Sequence, residues 1–299
     1  MHERGAGRIY WGMKWIIGSL LTLAILATAS CAWLGTTWSH PKDAATAAAS
    51  LSEAPLSEPP QSEKIQVSAQ QLELAVGPPL EYRTFKPKST HAPHQSRRVG
   101  HKPWVILAHG FLRDQRHMQG LAMALAEAGF PVATLNSRHD SPISGGHVAH
   151  GRDMIALARE LGTERVIYAG FSAGGLAALL AASSDPKASG LLTLDLVDSQ
   201  GLGRQAAKSL GVPLIALTGA PSNCNANNNT SPIYQSASAI SLTRIPQASH
   251  CDFEAPSDWL CRLVCQQPSR QTKEQAEPSR LQQDIIQSAV AGIRQLADS

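Results

Sequence analysis

Short apolar runs alternate with segments of helical periodicity over the last two-thirds of the chain. The runs that predict buried strands cover residues 104–108, 131–135, 165–169, 191–197, 212–217 and 240–245. Apolar residues at helical spacing occupy residues 118–127, 150–161, 174–183 and 281–296. This alternation predicts a mostly parallel sheet with helices on both faces. Ligands of such sheets bind at the carboxyl ends of the strands.

The N-terminal residues 1–35 have a different pattern. Three basic residues, Arg4, Arg8 and Lys14, precede an uncharged stretch at 15–34. A basic segment followed by an apolar one is typical of an export signal, and about 20 apolar residues also suffice to span a bilayer as a helix. Cleavage, lipidation of Cys31 and retention as a membrane anchor all remain open. We expect an exported protein of the periplasm or cell envelope, attached to the membrane through its N-terminus.

Composition divides the rest of the chain in two. Residues 36–62 are rich in Ala, Ser, Pro and Glu and lack apolar periodicity, which predicts a flexible linker. Residues 63–299 are then the folded domain. A net charge of +3 over 299 residues supplies no concentrated basic face, so we expect no nucleic-acid partner. We expect a monomer.

A candidate nucleophile follows the predicted strand at 165–169. Residues 170–174 read GFSAG, which is the pattern G-x-S-x-G between a strand and a helix. The glycines allow a tight turn that projects the hydroxyl of Ser172 over the sheet, and the alternative is an ordinary glycine turn. A serine needs a base to act as a nucleophile. His250 is the only histidine after Ser172 and follows the last predicted strand, so it is the candidate base.

The acid that orients the base is less clearly marked. The loop after residues 212–217 is the usual place for it, but residues 218–225 contain no Asp or Glu. The preceding strand ends with Asp195 and Asp198, of which we favour Asp195. Two backbone N–H groups are expected to stabilise an oxyanion, one from Ala173 and one from the loop after residue 108. In that loop we favour Phe111 over Leu112, and we expect His109 to support the loop by hydrogen bonding.

Together these motifs resemble the α/β-hydrolase superfamily over roughly residues 80–299. Within it the chain is similar to the chlorophyllase, dienelactone hydrolase and polyester hydrolase group of serine esterases. The resemblance is carried by 109–111 (HGF), 170–174, 194–198 (LDLVD) and 249–254 (SHCDFE). It implies an α/β-hydrolase fold and ester hydrolysis through an acyl-enzyme, with Ser172, Asp195 and His250 as catalytic triad.

Four cysteines remain beyond Cys31, and outside a reducing cytosol they suggest two disulfides. We expect Cys224 to pair with Cys251, which would join loops after adjacent strands, and Cys261 to pair with Cys265. Four free buried thiols are the alternative. No phosphate loop or metal-ligand cluster stands out, so we expect no cofactor and no metal.

The expected substrate is a small-molecule or lipid-like carboxylic ester. Two other functions fit the same motifs. One is an amide or peptide hydrolase with the same triad, and the other is a catalytically silent binding protein of the cell envelope. Residues 223–230 (NCNANNNT) form a polar loop near the inferred site, where they either shape access or serve only as a connection.

Overall fold

The fold is known here from a computed structural model that describes residues 63–88, 102–138, 146–237, 239–265 and 279–299. The predicted export segment and linker, residues 1–62, lie outside the described residues. All described residues belong to one unit of the chain, Ser57–Ser299. Among them, no helix combines the length and apolar character needed to cross a bilayer.

Eight strands form one sheet. They are β1 Ile65–Leu72, β2 Leu80–Pro87, β3 Trp104–Ala108, β4 Val132–Leu135, β5 Val166–Phe171, β6 Ala188–Leu194, β7 Leu214–Thr218 and β8 Ile240–Arg244. The strand order is β1-β2-β4-β3-β5-β6-β7-β8. Strands β3 to β8 run parallel, whereas β2 is antiparallel to both β1 and β4. The predicted mostly parallel sheet is therefore confirmed.

Helices cover both faces of this sheet. They are α1 Gln119–Glu127, α2 His147–Glu160, α3 Ala173–Ala182, α4 Leu202–Ala207, α5 Ser231–Ser236, α6 Trp259–Cys265 and α7 Arg280–Asp298. Two 3-10 turns, Gln115–Met118 and His250–Phe253, precede α1 and follow β8. Helix α7 begins at a capping box, in which the Ser279 hydroxyl accepts from the N–H of Gln282 at 3.2 Å.

Alternate side chains of the central strands point into two separate cores. On β5, Ile167 and Ala169 pack with the apolar faces of α1 and α7, while Val166 and Tyr168 pack with α2, α3 and α4. Every residue of β5 is buried, as expected for a strand covered on both sides. The two layers of helices leave the carboxyl ends of the strands as the edge on which loops gather.

Candidate active site

Ser172 occupies a strained turn between β5 and α3. Its backbone has φ 53° and ψ −118°, a conformation that costs an L-residue about 1–3 kcal/mol. Its N–H donates to the carbonyl of Leu194 at 2.9 Å, which fixes the turn beside the end of β6. The serine is 7% exposed. The predicted turn thus raises this one hydroxyl at the carboxyl edge of the sheet.

The glycines of the turn are required by close backbone packing. A Cβ on Gly174 would lie 2.3 Å from the carbonyl oxygen of His109, and a Cβ on Gly170 would lie 2.2 Å from the carbonyl oxygen of Gly174. Real Cβ atoms do not approach oxygen so closely. The pattern G-x-S-x-G therefore lets the turn pack directly against the end of β3.

The three residues predicted as a triad lie in one hydrogen-bonded line. The Nε2 atom of His250 is 3.0 Å from the hydroxyl oxygen of Ser172. Its Nδ1 atom is 2.6 Å from Oδ2 of Asp195. Both distances fit hydrogen bonds, and all three side chains are buried. An imidazole held between a carboxylate and a hydroxyl is able to accept the hydroxyl proton while the carboxylate stabilises the resulting charge.

Asp195 follows β6 directly and is fully buried. Its φ is 42°, and its own N–H donates to the carbonyl of Leu217 at 2.7 Å. Its Oδ1 accepts from the N–H of Gly219 at 2.9 Å, and the amide of Asn225 contacts both carboxylate oxygens. Asn225 was not singled out from the sequence. Its only signal was the Asn-rich loop at the strand end where the usual acid is missing.

Asp198, the other candidate acid, has a different task. Its Oδ1 accepts from the N–H of Gly203 at 2.8 Å and its Oδ2 from the N–H of Arg204 at 3.4 Å, so it caps the first turn of α4. Its main chain is also paired with the Asn229 side chain, at 3.0 Å and 2.7 Å. The structure does not bring Asp198 to the histidine.

His250 begins a 3-10 turn that its neighbours hold in place. Oδ2 of Asp252 accepts from both the N–H and the hydroxyl of Ser249, at 2.7 and 2.8 Å. The ring of Phe171 packs against the imidazole with 4.7 Å between centroids. Asp252 therefore shapes the turn that presents His250, while the carboxylate on the imidazole is that of Asp195.

The loop after β3 lies against the nucleophile. A Cβ on Gly110 would contact the Cβ of Ser172 at 3.4 Å. The Nδ1 atom of His109 is 2.7 Å from the Gly110 carbonyl, and its Nε2 accepts from the N–H of Ser137 at 3.0 Å. The histidine thus joins this loop to the one after β4, in the supporting role expected for it. That Phe111 N–H is an oxyanion donor stays a prediction.

Ala173 is the first residue of α3, where a backbone N–H has no acceptor within its own helix. It directly follows Ser172 and so meets the positional requirement for an oxyanion donor. Its role also stays a prediction. The N-terminus of α3 carries a partial positive charge that favours a developing anion at this place.

A buried ion pair connects the loop after β3 to the histidine loop. Nε of Arg113 is 3.1 Å from Oε1 of Glu254, and its Nη1 is 2.9 Å from Oδ2 of Asp258. Burial raises the pKa of Glu254, and the positive charges of Arg113 and His117 oppose that rise. This link was not predicted from the sequence.

The two disulfides have different partners from those expected. Cys251 pairs with Cys261, and Cys224 pairs with Cys265, with Cα–Cα distances of 5.9 and 5.5 Å. Cys261 and Cys265 lie four apart on α6, where side chains run side by side and disulfide geometry is poor. The predicted pairing was therefore wrong, and α6 is instead joined to both loops. The sulfurs of Cys251, Cys261 and Cys265 lie within 4.8 Å of one another, but they are committed to disulfides.

Comparisons with known proteins bear on the fold. No protein-family model matches the sequence, and no curated protein matches it. The structure is similar to a predicted CIB-like hydrolase from Thermoplasma acidophilum, with a TM-score of 0.54 and 11% sequence identity, over 77% of this chain and 99% of that one. With the strand order and the two layers of helices, this similarity establishes the α/β-hydrolase fold. At that identity it establishes the fold alone.

Proposed function

We propose that this protein is a serine hydrolase that cleaves carboxylic esters through an acyl-enzyme. The observation that carries the proposal is the buried line from Asp195 through His250 to Ser172, with contacts of 2.6 and 3.0 Å. The strained backbone of Ser172 supports it, because backbone strain is often concentrated at functional sites.

The proposed reaction has two stages, formation of an acyl-enzyme and its hydrolysis. Ser172 Oγ attacks the ester carbonyl while His250 Nε2 takes its proton, and Asp195 stabilises the imidazolium. N–H groups of Ala173 and Phe111 bind the oxyanion. Collapse of the tetrahedral intermediate breaks the bond to the alcohol oxygen, which takes the proton from Nε2. Water then attacks the acyl-enzyme, gives its proton to Nε2, and the acid leaves as Ser172 is reprotonated.

Labelling with a serine-directed fluorophosphonate tests the proposal. The full chain is expected to be labelled at one site, and Ser172→Ala is expected to abolish labelling because the nucleophile is gone. Ser184→Ala is the matched control, since Ser184 is an exposed serine just beyond the other end of α3. Labelling that survives in Ser172→Ala, or no labelling of the native chain, would contradict the proposal and favour a silent binding protein.

Matched p-nitrophenyl esters and p-nitroanilides of graded acyl length identify the bond that is cleaved. The proposal expects turnover of esters, abolished in Ser172→Ala and retained in Ser184→Ala. Turnover of the anilides alone, by a chain that is labelled at Ser172, would assign the same triad to an amide hydrolase instead.

We also propose that the protein is exported and attached to the membrane through residues 1–35. The two disulfides are compatible with export, since disulfides persist in oxidising compartments. Fractionation of cells that produce the full chain tests this: we expect it in the envelope, and recovery from the cytosol with free thiols would contradict it.

A further inference from the structure

We propose that Asn225 is a positioning residue that orients the carboxylate of Asp195 for His250. The inference rests on the proposed function for its catalytic meaning, but the contact that it describes is independent of turnover. Asn225 lies in the loop after β7 and is fully buried. This loop is the usual source of the acid in such folds, and here it supplies an amide that reaches the acid on β6.

The amide contacts both oxygens of the carboxylate. Nδ2 of Asn225 donates to Oδ2 of Asp195 at 3.1 Å and lies 3.4 Å from Oδ1, while its second hydrogen goes to the carbonyl of Ala220 at 2.8 Å. The N–H of Gly219 completes the set on Oδ1. With His250 on Oδ2, the carboxylate is held from three directions, and its plane is fixed relative to the imidazole.

The orientation of the amide is fixed by its other end. Oδ1 of Asn225 accepts from the N–H of Ser222 at 2.8 Å and from the N–H of Asn228 at 3.3 Å. Backbone N–H groups only donate, so the amide oxygen must face them and the NH₂ group must face Asp195. A flipped amide would turn its oxygen toward a carboxylate, which is unfavourable. The loop therefore presents a donor to Asp195 and nothing else.

Covalent structure reinforces this arrangement. Cys224, the residue before Asn225, is joined to Cys265 of α6. The next residues, Ala226 and Asn227, have φ of 49° and 53°, so the chain turns tightly around the buried amide. The loop is thus built to hold Asn225 inward.

Asparagine suits this position because it donates without adding charge. An N–H group that donates to the Asp195 carboxylate partly offsets its negative charge. The carboxylate then attracts the proton on His250 less strongly. Removal of the amide is therefore expected to favour the imidazolium and to move the titration of His250 to higher pH. Glu254, whose charge also interacts with that of His250, is held by Arg113, and the substitution leaves that contact in place.

The test measures the titration of His250 in the full chain by imidazole NMR, with the signal assigned from a His250→Gln variant. Asn225→Ala is expected to raise the midpoint by about half to one pH unit, a shift typical of losing one hydrogen bond to a charged group. The rate of fluorophosphonate labelling is expected to fall by about tenfold to a hundredfold. The acid limb of its pH profile is expected to move to higher pH together with the His250 midpoint.

Two further variants make the result decisive. Asn223→Ala removes an exposed amide from the same loop and is expected to leave both readouts unchanged. Asn225→Asp keeps an acceptor for the Ser222 and Asn228 N–H groups, but it loses the donor to Ala220 and places a second carboxylate against Asp195. It is expected to raise the His250 midpoint at least as far as Asn225→Ala, and it decides the matter if the alanine variant does not fold.

A purely structural role would give a different outcome. If Asn225→Ala and Asn225→Asp lower only the melting temperature and leave the His250 midpoint where it was, the inference is overturned. If the native chain resists fluorophosphonate, the proposed function fails, yet the NMR midpoints still decide whether Asn225 acts on the Asp195–His250 pair.

Discussion

Asp195 and Asp198 lie three residues apart on one segment, yet their side chains make quite different contacts. Asp195 is fully buried, and its Oδ2 lies 2.6 Å from His250. Asp198 is partly exposed, and its carboxylate oxygens accept hydrogen bonds from the N–H groups of Gly203 and Arg204 at the start of α4. The difference arises because the chain turns at Asp195, whose φ is 42°, and so separates the two side chains.

Exchange of each carboxylate for an amide is expected to separate the roles of Asp195 and Asp198. In the proposed mechanism, Asp195→Asn removes the charge that stabilises the imidazolium and disturbs the histidine tautomer, so kcat/KM should fall by about 10³ to 10⁴. Asp198→Asn retains a good helix cap and should stay within about threefold of the native chain, because Asn and Asp cap helices almost equally well. Rates on one cleaved ester decide the issue. Loss of activity in Asp198→Asn alone would make Asp198 the acid.

The sequence alone is enough to predict Ser172 and His250. One is marked by its glycine-flanked turn and the other is the only histidine after it. Asn225 is not predictable in that way. Its role depends on which of several asparagines in one loop points inward, and this is decided by positive φ angles at Ala226, Asn227 and Asn228. Nothing in residue type distinguishes Asn225 from Asn223, which is exposed.

At the scale of elements, apolar runs locate the central strands well but not their ends. Strand β3 matches the predicted residues 104–108, whereas β6 ends at Leu194 and not at residue 197. The predicted run is too long because Leu196, beyond the strand, is buried as well. Where the chain turns toward the site, residues therefore stay buried although the backbone no longer forms a strand.

The outer elements left weaker signals. Strand β1 is mostly exposed, since it pairs with β2 at the edge of the sheet, and its sequence IQVSAQQL lacks an apolar run. Helices α4 and α5 have six residues each, too few to show helical periodicity. Which residues of these elements become buried depends on the elements packed against them. The local sequence pattern therefore does not predict such elements.

Helix α6 joins the two loops that carry His250 and Asn225, and removal of each disulfide in turn should weaken the fold unequally. The sequence separations are 10 for Cys251–Cys261 and 41 for Cys224–Cys265. Loop-closure entropy then predicts losses of about 3 and about 4 kcal/mol respectively. Paired Cys→Ala variants with urea unfolding measure both. Equal losses, or a larger one for Cys251–Cys261, would contradict an entropic origin and point to native-state contacts.

On the scale of the whole molecule, the Arg113–Glu254 pair links segments that follow distant strands of the sheet. Arg113 follows β3 near the middle of the sheet, and Glu254 follows β8 at its edge. The pair therefore joins two segments that leave the sheet at strands four positions apart in its order. Buried pairs of this kind add little net stability, because both charges lose their hydration. We expect this cost to appear as pH-dependent stability.

Two groups of the cluster set the direction of that dependence. Burial raises the pKa of Glu254 above its usual 4.5, so the folded state keeps a proton that the unfolded chain has lost. Stability then falls as pH rises from about 4.5 through the folded pKa. Burial opposes the charge of His117, but Asp114 and Glu254 outweigh it and raise its pKa above 6.5. The stabilisation that His117 contributes is complete below pH 6.5 and is lost as the pH rises through the pKa of His117 in the folded state.

Unfolding free energies from pH 5 to 8 separate the two groups, over a range in which Asp114, whose pKa is lowered, stays ionised. Glu254→Gln should flatten the lower part of the curve and reduce, without abolishing, the fall above pH 6.5, because His117 keeps Asp114. His117→Gln should flatten mainly the upper part. If the curve of Glu254→Gln runs parallel to that of the native chain over the lower part of the range, Glu254 is ionised there in the folded state. Arg113 then compensates the burial of Glu254 fully, and the ion pair stabilises the fold as well as holding the two loops together.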